Sequence, residues 1–188
     1  SAIPAAIPGI LIPYYTTYVL GVPDPEAWLG ILLVTYFGAG LIAVPIWMRL
    51  AERFSKLWTL IVSAMIGTTG GTCLFFIGDG NTTVVTIIFL LIGLASSTGM
   101  VVLPSMVADV IDYDEFLTGR RREAQFGSFW AIVPKFVAIP GASLPLALLA
   151  WVGYVPNEVQ SDDVVLTIRL LLGIFPAAFN IVTVLILV

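Results

Sequence analysis

Apolar residues dominate six stretches of this chain, and short polar connections separate them. The stretches cover residues 1–20, 27–47, 58–78, 83–107, 125–152 and 165–188. Each comes close to the roughly 20 apolar residues that an α-helix needs to cross a lipid bilayer. The pattern therefore predicts an all-α membrane protein with six transmembrane helices.

Basic residues are distributed unevenly among the connections. The second and fourth connections hold six of the eight lysine and arginine residues, namely Arg49, Arg53, Lys56, Arg120, Arg121 and Arg122. The first, third and fifth hold acidic residues and no base. Because cytoplasmic loops of membrane proteins carry an excess of lysine and arginine, we expect the second and fourth connections in the cytoplasm. Both chain ends are then cytoplasmic too, in an inner or plasma membrane.

Composition argues against other classes of protein. Hydrophobic residues make up 59% of the chain and charged residues 11%, whereas soluble domains carry about 25% charged residues. The net charge of −4 offers no basic surface for a nucleic acid. Histidine is absent, and no nucleophile, base and metal-binding set converges. We therefore expect neither an enzyme nor a metal site.

Lys135 lies about ten residues into the fifth predicted helix, near the bilayer midplane. A lysine at this depth costs roughly 2.5–3.5 kcal/mol to insert, so it indicates a functional site. It shares a helix face with the small residues Ser128, Ala131, Ala138 and Ala142. None of the 12 acids is predicted at the same depth. We therefore expect another protein element to supply carboxylates opposite Lys135.

An acidic cluster ends the fourth predicted helix and a basic cluster follows it. The acids are Asp109, Asp112, Asp114 and Glu115, and after a turn at 116–119 the residues 120–123 are expected to begin the fifth helix. Opposite charges would thus meet at the membrane surface. A solvated loop with weak ion pairs is the alternative, and the pattern leaves both open.

Hydroxyl groups and aromatic rings alternate near the outer half of the first predicted helix. The run comprises Tyr14, Tyr15, Thr16, Thr17 and Tyr18. Aromatic residues at a membrane interface would give this pattern, and so would rings and hydroxyls that contact a sugar. Both interpretations stay open.

Several of these motifs also occur together in one known family. They are ADVIDYDEFLTGRRRE, the PK that follows eleven residues later, GYVPN, PYYTTYVLG and IWMRLAERFSKL. In this combination the chain resembles the glycoside–pentoside–hexuronide:cation symporters of the major facilitator superfamily. The resemblance covers the whole chain, residues 1–188, but only the carboxyl-terminal six-helix half of the family's fold, so that the amino-terminal half is absent.

The resemblance implies cation-coupled transport of a sugar or glycoside-like solute, by alternating access between two six-helix halves. Lys135 would lie beside the site of the coupling cation, Na+ or H+, whose carboxylates come mainly from the amino-terminal half. Asp109, Asp112, Arg121 and Glu123 match a cytoplasmic ion-pair gate that stabilises the outward-facing state. The implied partners are the lipid bilayer, the other half or another membrane subunit, and a small solute.

The resemblance also implies a set of substrate-lining candidates: Tyr14, Thr17, Tyr18, Met100 and Ala131. Met100 and Ala131 stand where the family has a tryptophan and a polar residue. Both changes remove groups that would recognise a galactoside. We therefore expect a more apolar or differently shaped glycoside, or another solute.

A non-transporting structural or accessory subunit, derived from a transporter half, is the alternative function. The reading frame before Ser1 discriminates between the two hypotheses. An upstream half with intramembrane carboxylates favours transport, and a true start at Ser1 favours the subunit. Since the first predicted helix begins with little preceding sequence, we expect the chain to be part of a longer one.

Overall fold

The structure is a computed structural model that describes residues 2–78 and 80–187, with side chains from residue 7 onward. Asp79, the acid predicted in the third connection, lies outside the described residues. The helices are α1 (Ala2–Tyr14, continued by a π-helical stretch at Tyr15–Val19), α2 (Pro25–Arg53), α3 (Lys56–Phe76), α4 (Thr82–Thr118), α5 (Glu123–Trp151) and α6 (Asp162–Leu187, π-helical at Leu170–Ile174).

Each predicted apolar stretch coincides with one of these helices. The helices α2 to α6 are each long and apolar enough to cross a membrane. The prediction of an all-α membrane protein is therefore confirmed. Two helices outrun their apolar stretches, since α2 continues to Arg53 and α4 to Thr118. The acidic cluster thus lies on a helix that extends past the apolar segment.

The connection between α4 and α5 differs from the prediction. Gly119 adopts a left-handed conformation with φ of 65° and ends α4, where its N–H donates to the Glu115 carbonyl at 2.8 Å. The expectation that residues 120–122 begin the fifth helix is wrong, because α5 begins at Glu123. The three arginines instead form an irregular link after the helix cap.

Polar side chains fix the beginnings of two helices. Asp24 accepts the Ala27 N–H at 3.1 Å, and Pro25 occupies the first turn of α2, where a missing N–H costs nothing. Ser55 accepts the Trp58 N–H at 3.1 Å and so caps α3. Because the link 54–55 is so short, α2 and α3 are held as antiparallel neighbours.

Glycines set the closest approach between α2 and α4. A Cβ on Gly93 would overlap the backbone of Tyr36, and one on Gly40 would lie 3.3 Å from the Gly93 carbonyl oxygen. Trp47 locks the same pair of helices, because its indole N–H donates to the Leu94 carbonyl at 2.6 Å. Membrane helices associate through such small residues, which allow backbone contact.

A second glycine contact joins α3 to the π-helical part of α6. A Cβ on Gly71 would lie 2.9 Å from the Gly173 carbonyl oxygen, and one on Gly173 would lie 2.6 Å from that of Gly71. These crossings bring α3, α4 and α6 around a core shared with α1. Its fully buried members include Leu11, Leu32, Val85 and Ile168.

We define two ends of the bundle by their connections. The basic end carries the links 54–55 and 119–122, and the acidic end carries 20–24, 77–81 and 152–161. Helix α5 packs on α1 toward the acidic end, where Gly141, Pro145 and Leu149 are buried. Toward the basic end, every α5 residue from 127 to 136 is exposed in the chain.

We predict that Gly93→Ala destabilises the bundle, because the added methyl group meets the Tyr36 backbone, which cannot move aside as a flexible side chain can. The expected loss is about 1–3 kcal/mol, measured as the free energy of unfolding in detergent. Gly38→Ala is the matched control on α2, since nothing lies within 4 Å of its Cβ position. An equal loss in both variants would contradict the glycine crossing.

Candidate functional site

One ion pair at the basic end joins α3 to α4. The Lys56 ammonium lies 2.5 Å from Oδ2 of Asp109 and 3.3 Å from the Ser105 carbonyl oxygen. The Lys56 side chain is 33% exposed and that of Asp109 is 61% exposed, so solvent partly screens the pair. This ion pair fastens the beginning of α3 to the polar extension of α4.

Two arginines of the link 119–122 pair with carboxylates at the same end. Arg122 binds Asp114 through two hydrogen bonds, one of them from Nε to Oδ2 at 2.9 Å. Arg121 donates from Nε to Glu123 at 3.0 Å, and its Nη1 lies 3.6 Å from Glu115. The hydrogen bonds to these carboxylates raise the pKa of both arginines, above all through Glu123 for Arg121 and Asp114 for Arg122.

The residues predicted as an ion-pair gate therefore occupy different pairs. Arg121 and Glu123 contact each other, whereas Asp109 pairs with Lys56. Asp112 is exposed and has no ion-pair partner among the described residues, although its charge contributes to the raised pKa of Arg121. The assignment of these four residues as a gate stays a prediction.

Sequence reasoning missed Lys56 as a member of the site. Because Arg49 and Arg53 lie in the same connection, Lys56 was interpreted only as one of the basic residues that place this connection in the cytoplasm. The available clue was its place: Lys56 is the first residue of α3, so it lies nearer the membrane than a loop residue would. Helix α4 meets α3 over much of its length, and this packing brings Asp109 to the same depth.

Lys135 lies in the exposed part of α5, between Pro134 and Pro140. Its ammonium forms no hydrogen bond or ion pair with residues 2–78 or 80–187. Ala131, one turn before it on the same face, is exposed as well, while Ala138 on that face is half-buried. Lys135 therefore lies where α5 separates from the rest of the bundle.

Met100 is the most exposed side chain of α4 within its apolar part, with 82% of its surface open. It follows the buried residues Ser97 and Thr98, which face α2 and the core. Helix α4 thus presents Met100 outward, away from the packed interior. Met100 and Ala131 are both open to a ligand or to another protein element, as a lining role requires.

At the acidic end, tyrosines of α1 pack against Tyr154, which follows α5. The ring centroids of Tyr14 and Tyr18 lie 5.3 and 5.7 Å from that of Tyr154, both edge-on. The Tyr18 and Tyr154 hydroxyls are 3.2 Å apart, and Tyr18 also accepts the Asn157 N–H at 3.3 Å. Desolvation, with a smaller contribution from the Tyr18 hydrogen bond, raises the pKa of Tyr154 to about 12. The cluster holds the connection 152–161 against α1.

A cleft of about 500 Å³ opens beside this cluster and includes Thr17, Tyr18 and Gln160 in its lining. Two of its polar side chains already bond backbone carbonyls within the chain. Thr17 donates to the Pro13 carbonyl at 2.9 Å, and the Gln160 amide donates to the Val155 carbonyl at 2.6 Å. Tyr15 is buried, and its hydroxyl bonds the Leu74 carbonyl at 3.4 Å. Tyr154, which sequence reasoning did not single out, is the centre of this region.

The fold and the exposed lysine can now be compared with known proteins. The family described as "MFS/sugar transport protein" matches residues 1–188, the full length of the chain. The chain belongs to this family. Its members are transporters rather than enzymes, and the chain is an integral, multi-pass protein of the lipid bilayer.

Individual members of the family have related names. The chain is 26% identical to the glucuronide carrier protein homolog of Escherichia coli strain K12, over 166 residues that cover 88% of the chain and 36% of the relative. It is 29% identical to a protein of Salmonella typhimurium strain LT2 that is provisionally named a sulfoquinovose importer, with 90% and 35% covered. It is 27% identical to YjmB of Bacillus subtilis strain 168, named an uncharacterized symporter, with 91% and 36% covered.

These relatives confirm the family resemblance that the motifs indicated, since symporters and a carrier of sugar derivatives are among them. The chain spans about a third of the length of each relative (36%, 35% and 36%). The family match over residues 1–188 covers all of the helices described above.

We predict measurable coupling between Lys56 and Asp109 in a double-mutant cycle of Lys56→Gln and Asp109→Asn. Because both side chains are partly solvated, the coupling free energy should be about 0.2–1 kcal/mol and should fall at high salt. The measurement is the free energy of unfolding in detergent at two ionic strengths.

Asp112→Asn combined with Lys56→Gln is the control cycle, since Asp112 forms no ion pair in the described chain. That cycle should show coupling near zero. Equal coupling in the two cycles would show that Lys56 interacts with the overall negative charge of α4 rather than with Asp109 specifically.

Proposed function

We propose that this chain forms one half of a cation-coupled symporter that moves a sugar or glycoside-like solute by alternating access. Support comes from its membership in a transporter family and from relatives named as symporters or carriers of sugar derivatives. The observation that carries the proposal is Lys135, an exposed lysine in an apolar helix that no described carboxylate reaches.

An ammonium at this depth needs negative charge or water, or else it loses its proton. Pro134 frees the carbonyl of Trp130, which solvates a cation but does not neutralise it. Within the described residues, no three acidic or cysteine side chains converge as a cation-binding group either. In the proposal, carboxylates of a second six-helix half that faces α5 neutralise Lys135 and also bind the cation.

Coupling then follows from competition for those carboxylates. Without Na+ or H+, Lys135 is their counter-ion. When the cation binds, the carboxylates are neutralised and the ammonium is released. Binding of the cation therefore changes the charge that the site offers to a solute, and this is the differential interaction that alternating access requires.

An acidic sugar fits this mechanism best. A glucuronide carries a carboxylate and sulfoquinovose a sulfonate, and relatives of this chain are named for these solutes. A released Lys135 would pair with such an anion, and the apolar Met100 and Ala131 would face the rest of the solute. Solute and cation would then stabilise the same state.

At the basic end, the proposed gate is built from Lys56, Asp109, Arg121 and Glu123. The Lys56–Asp109 pair joins α3 to α4, and Arg121 links α5 to α4 because it bonds Glu123 and lies 3.6 Å from Glu115. Asp112 remains available to the second half, because it has no ion-pair partner among the described residues. Closure of this end corresponds to the outward-facing state, and opening corresponds to the inward-facing state. The orientation follows from the positive-inside rule.

We predict that Lys135→Gln abolishes cation-dependent uptake in the intact carrier while leaving it inserted in the membrane. Glutamine is polar and slightly shorter than lysine, but it carries no charge and so cannot compete with a cation. Uptake of a radiolabelled glucuronide with and without a cation gradient is the measurement. Ser143→Ala on the same helix is the control, because Ser143 bonds only its own helix, at the Ile139 carbonyl. Fully coupled transport by Lys135→Gln would remove Lys135 from the mechanism.

We also predict that Arg121→Glu shifts the intact carrier toward the inward-facing state. The reversed charge repels Glu115 and Glu123, so the basic end loses its clamp. Alkylation of single cysteines placed on the basic-end half of α5 measures access from that side. Arg120→Glu makes the same charge change one position earlier, where the described chain shows no ion pair. The gate is contradicted if both variants change the labelling rate equally or neither changes it.

A further inference from the structure

An apolar groove lies at the basic end where α2 meets α3, separate from the ion pairs described above. Leu50, Phe54, Trp58, Thr59 and Val62 line it and enclose about 460 Å³. This volume falls within the roughly 300–1,000 Å³ typical of small-molecule pockets. Two of the lining rings remain largely open, with Phe54 68% exposed and Trp58 63% exposed. The groove is therefore a preformed apolar surface near the edge of the membrane-spanning segment.

A guanidinium group lies at the rim of this groove. Cζ of Arg53 lies 5.7 Å from the ring centroid of Phe54, which forms part of the groove wall. Arg49 lies one turn earlier on the same face of α2. Neither arginine has an ion-pair partner in residues 2–78 or 80–187, and the nearby Glu52 is exposed and has no such partner there either. Cationic groups at one end of an apolar groove complement an amphiphile with an anionic head.

We propose that this groove binds one anionic phospholipid of the adjacent membrane leaflet. Its acyl chain lies between Phe54, Trp58 and Val62, and its phosphate is bound by Arg53, with Arg49 adding positive charge. Arginine suits this role because its planar fork donates two hydrogen bonds to a phosphate. A soluble phosphate would leave the apolar walls uncovered, and a zwitterionic lipid would compensate the arginines less well. Basic pockets between membrane helices bind acidic headgroups in this way.

The charge of the arginines and the apolar wall of the groove contribute separately to lipid binding, so separate variants test them. The intact carrier in detergent is titrated with phosphatidylglycerol, phosphatidylcholine or soluble glycerophosphate, and native mass spectrometry gives the dissociation constant of the first bound lipid. Arg53→Gln should weaken phosphatidylglycerol binding about fivefold, the effect expected of one basic residue near an acidic headgroup. It should weaken phosphatidylcholine binding less, because the choline cation already compensates the phosphate that the two lipids share. Trp58→Ala should weaken binding of both lipids, because it removes a wall of the groove.

Arg120→Gln is the matched control, since Arg120 is exposed at the same end and does not line this groove. It should leave phosphatidylglycerol binding unchanged. The site is refuted if Arg120→Gln and Arg53→Gln have equal effects, or if the wild-type protein binds the two lipids equally. It is likewise refuted if Trp58→Ala has no effect, or if glycerophosphate competes as strongly as the intact lipid.

Discussion

A single ammonium group in an apolar helix is the constraint on which the structure and its proposed function depend. Lys135 is exposed, and no carboxylate among the described residues reaches it. A charge in this position is unfavourable unless another group compensates it. The surrounding helix shows the same incompleteness, because α5 is packed at the acidic end and open from residue 127 to 136. The fold thus leaves open the part of its surface where the charge is placed.

The rest of the bundle is built to hold that open surface in position. Backbone contacts at Gly93 and at Gly71–Gly173 fix two helix crossings, α2 with α4 and α3 with α6, without large side chains. The tyrosine cluster around Tyr154 fastens the acidic end, and the Lys56–Asp109 pair fastens the basic end. Rigid packing around one unpacked helix segment is the arrangement expected of a body that rocks against a partner.

Sequence alone predicted the features that depend on local pattern. Apolar runs located the helices, because the hydrocarbon core sets their length. The extension of α4 to Thr118 was not predicted, because hydropathy does not detect the part of a helix that extends beyond the membrane. The pairing of Lys56 with Asp109 also needed the structure, because it depends on how α3 and α4 align. Small residues favour close contacts between membrane helices, but only the packing distinguishes Gly93, which meets Tyr36, from Gly38, which has open space around its Cβ position.

The most direct measurement of the central claim is the reactivity of Lys135 itself. Mass spectrometry of the intact carrier in membranes, after treatment with a small amine-reactive reagent, reports how freely that amine reacts. Rates are expressed relative to that of free lysine at the same pH, because protonation slows the reaction of any amine. The account predicts slow relative labelling when neither Na+ nor an acidic pH supplies the cation, because carboxylates then hold the ammonium, and faster relative labelling with the coupling ion in place. Relative labelling of Lys135 that is independent of both ions would contradict the account.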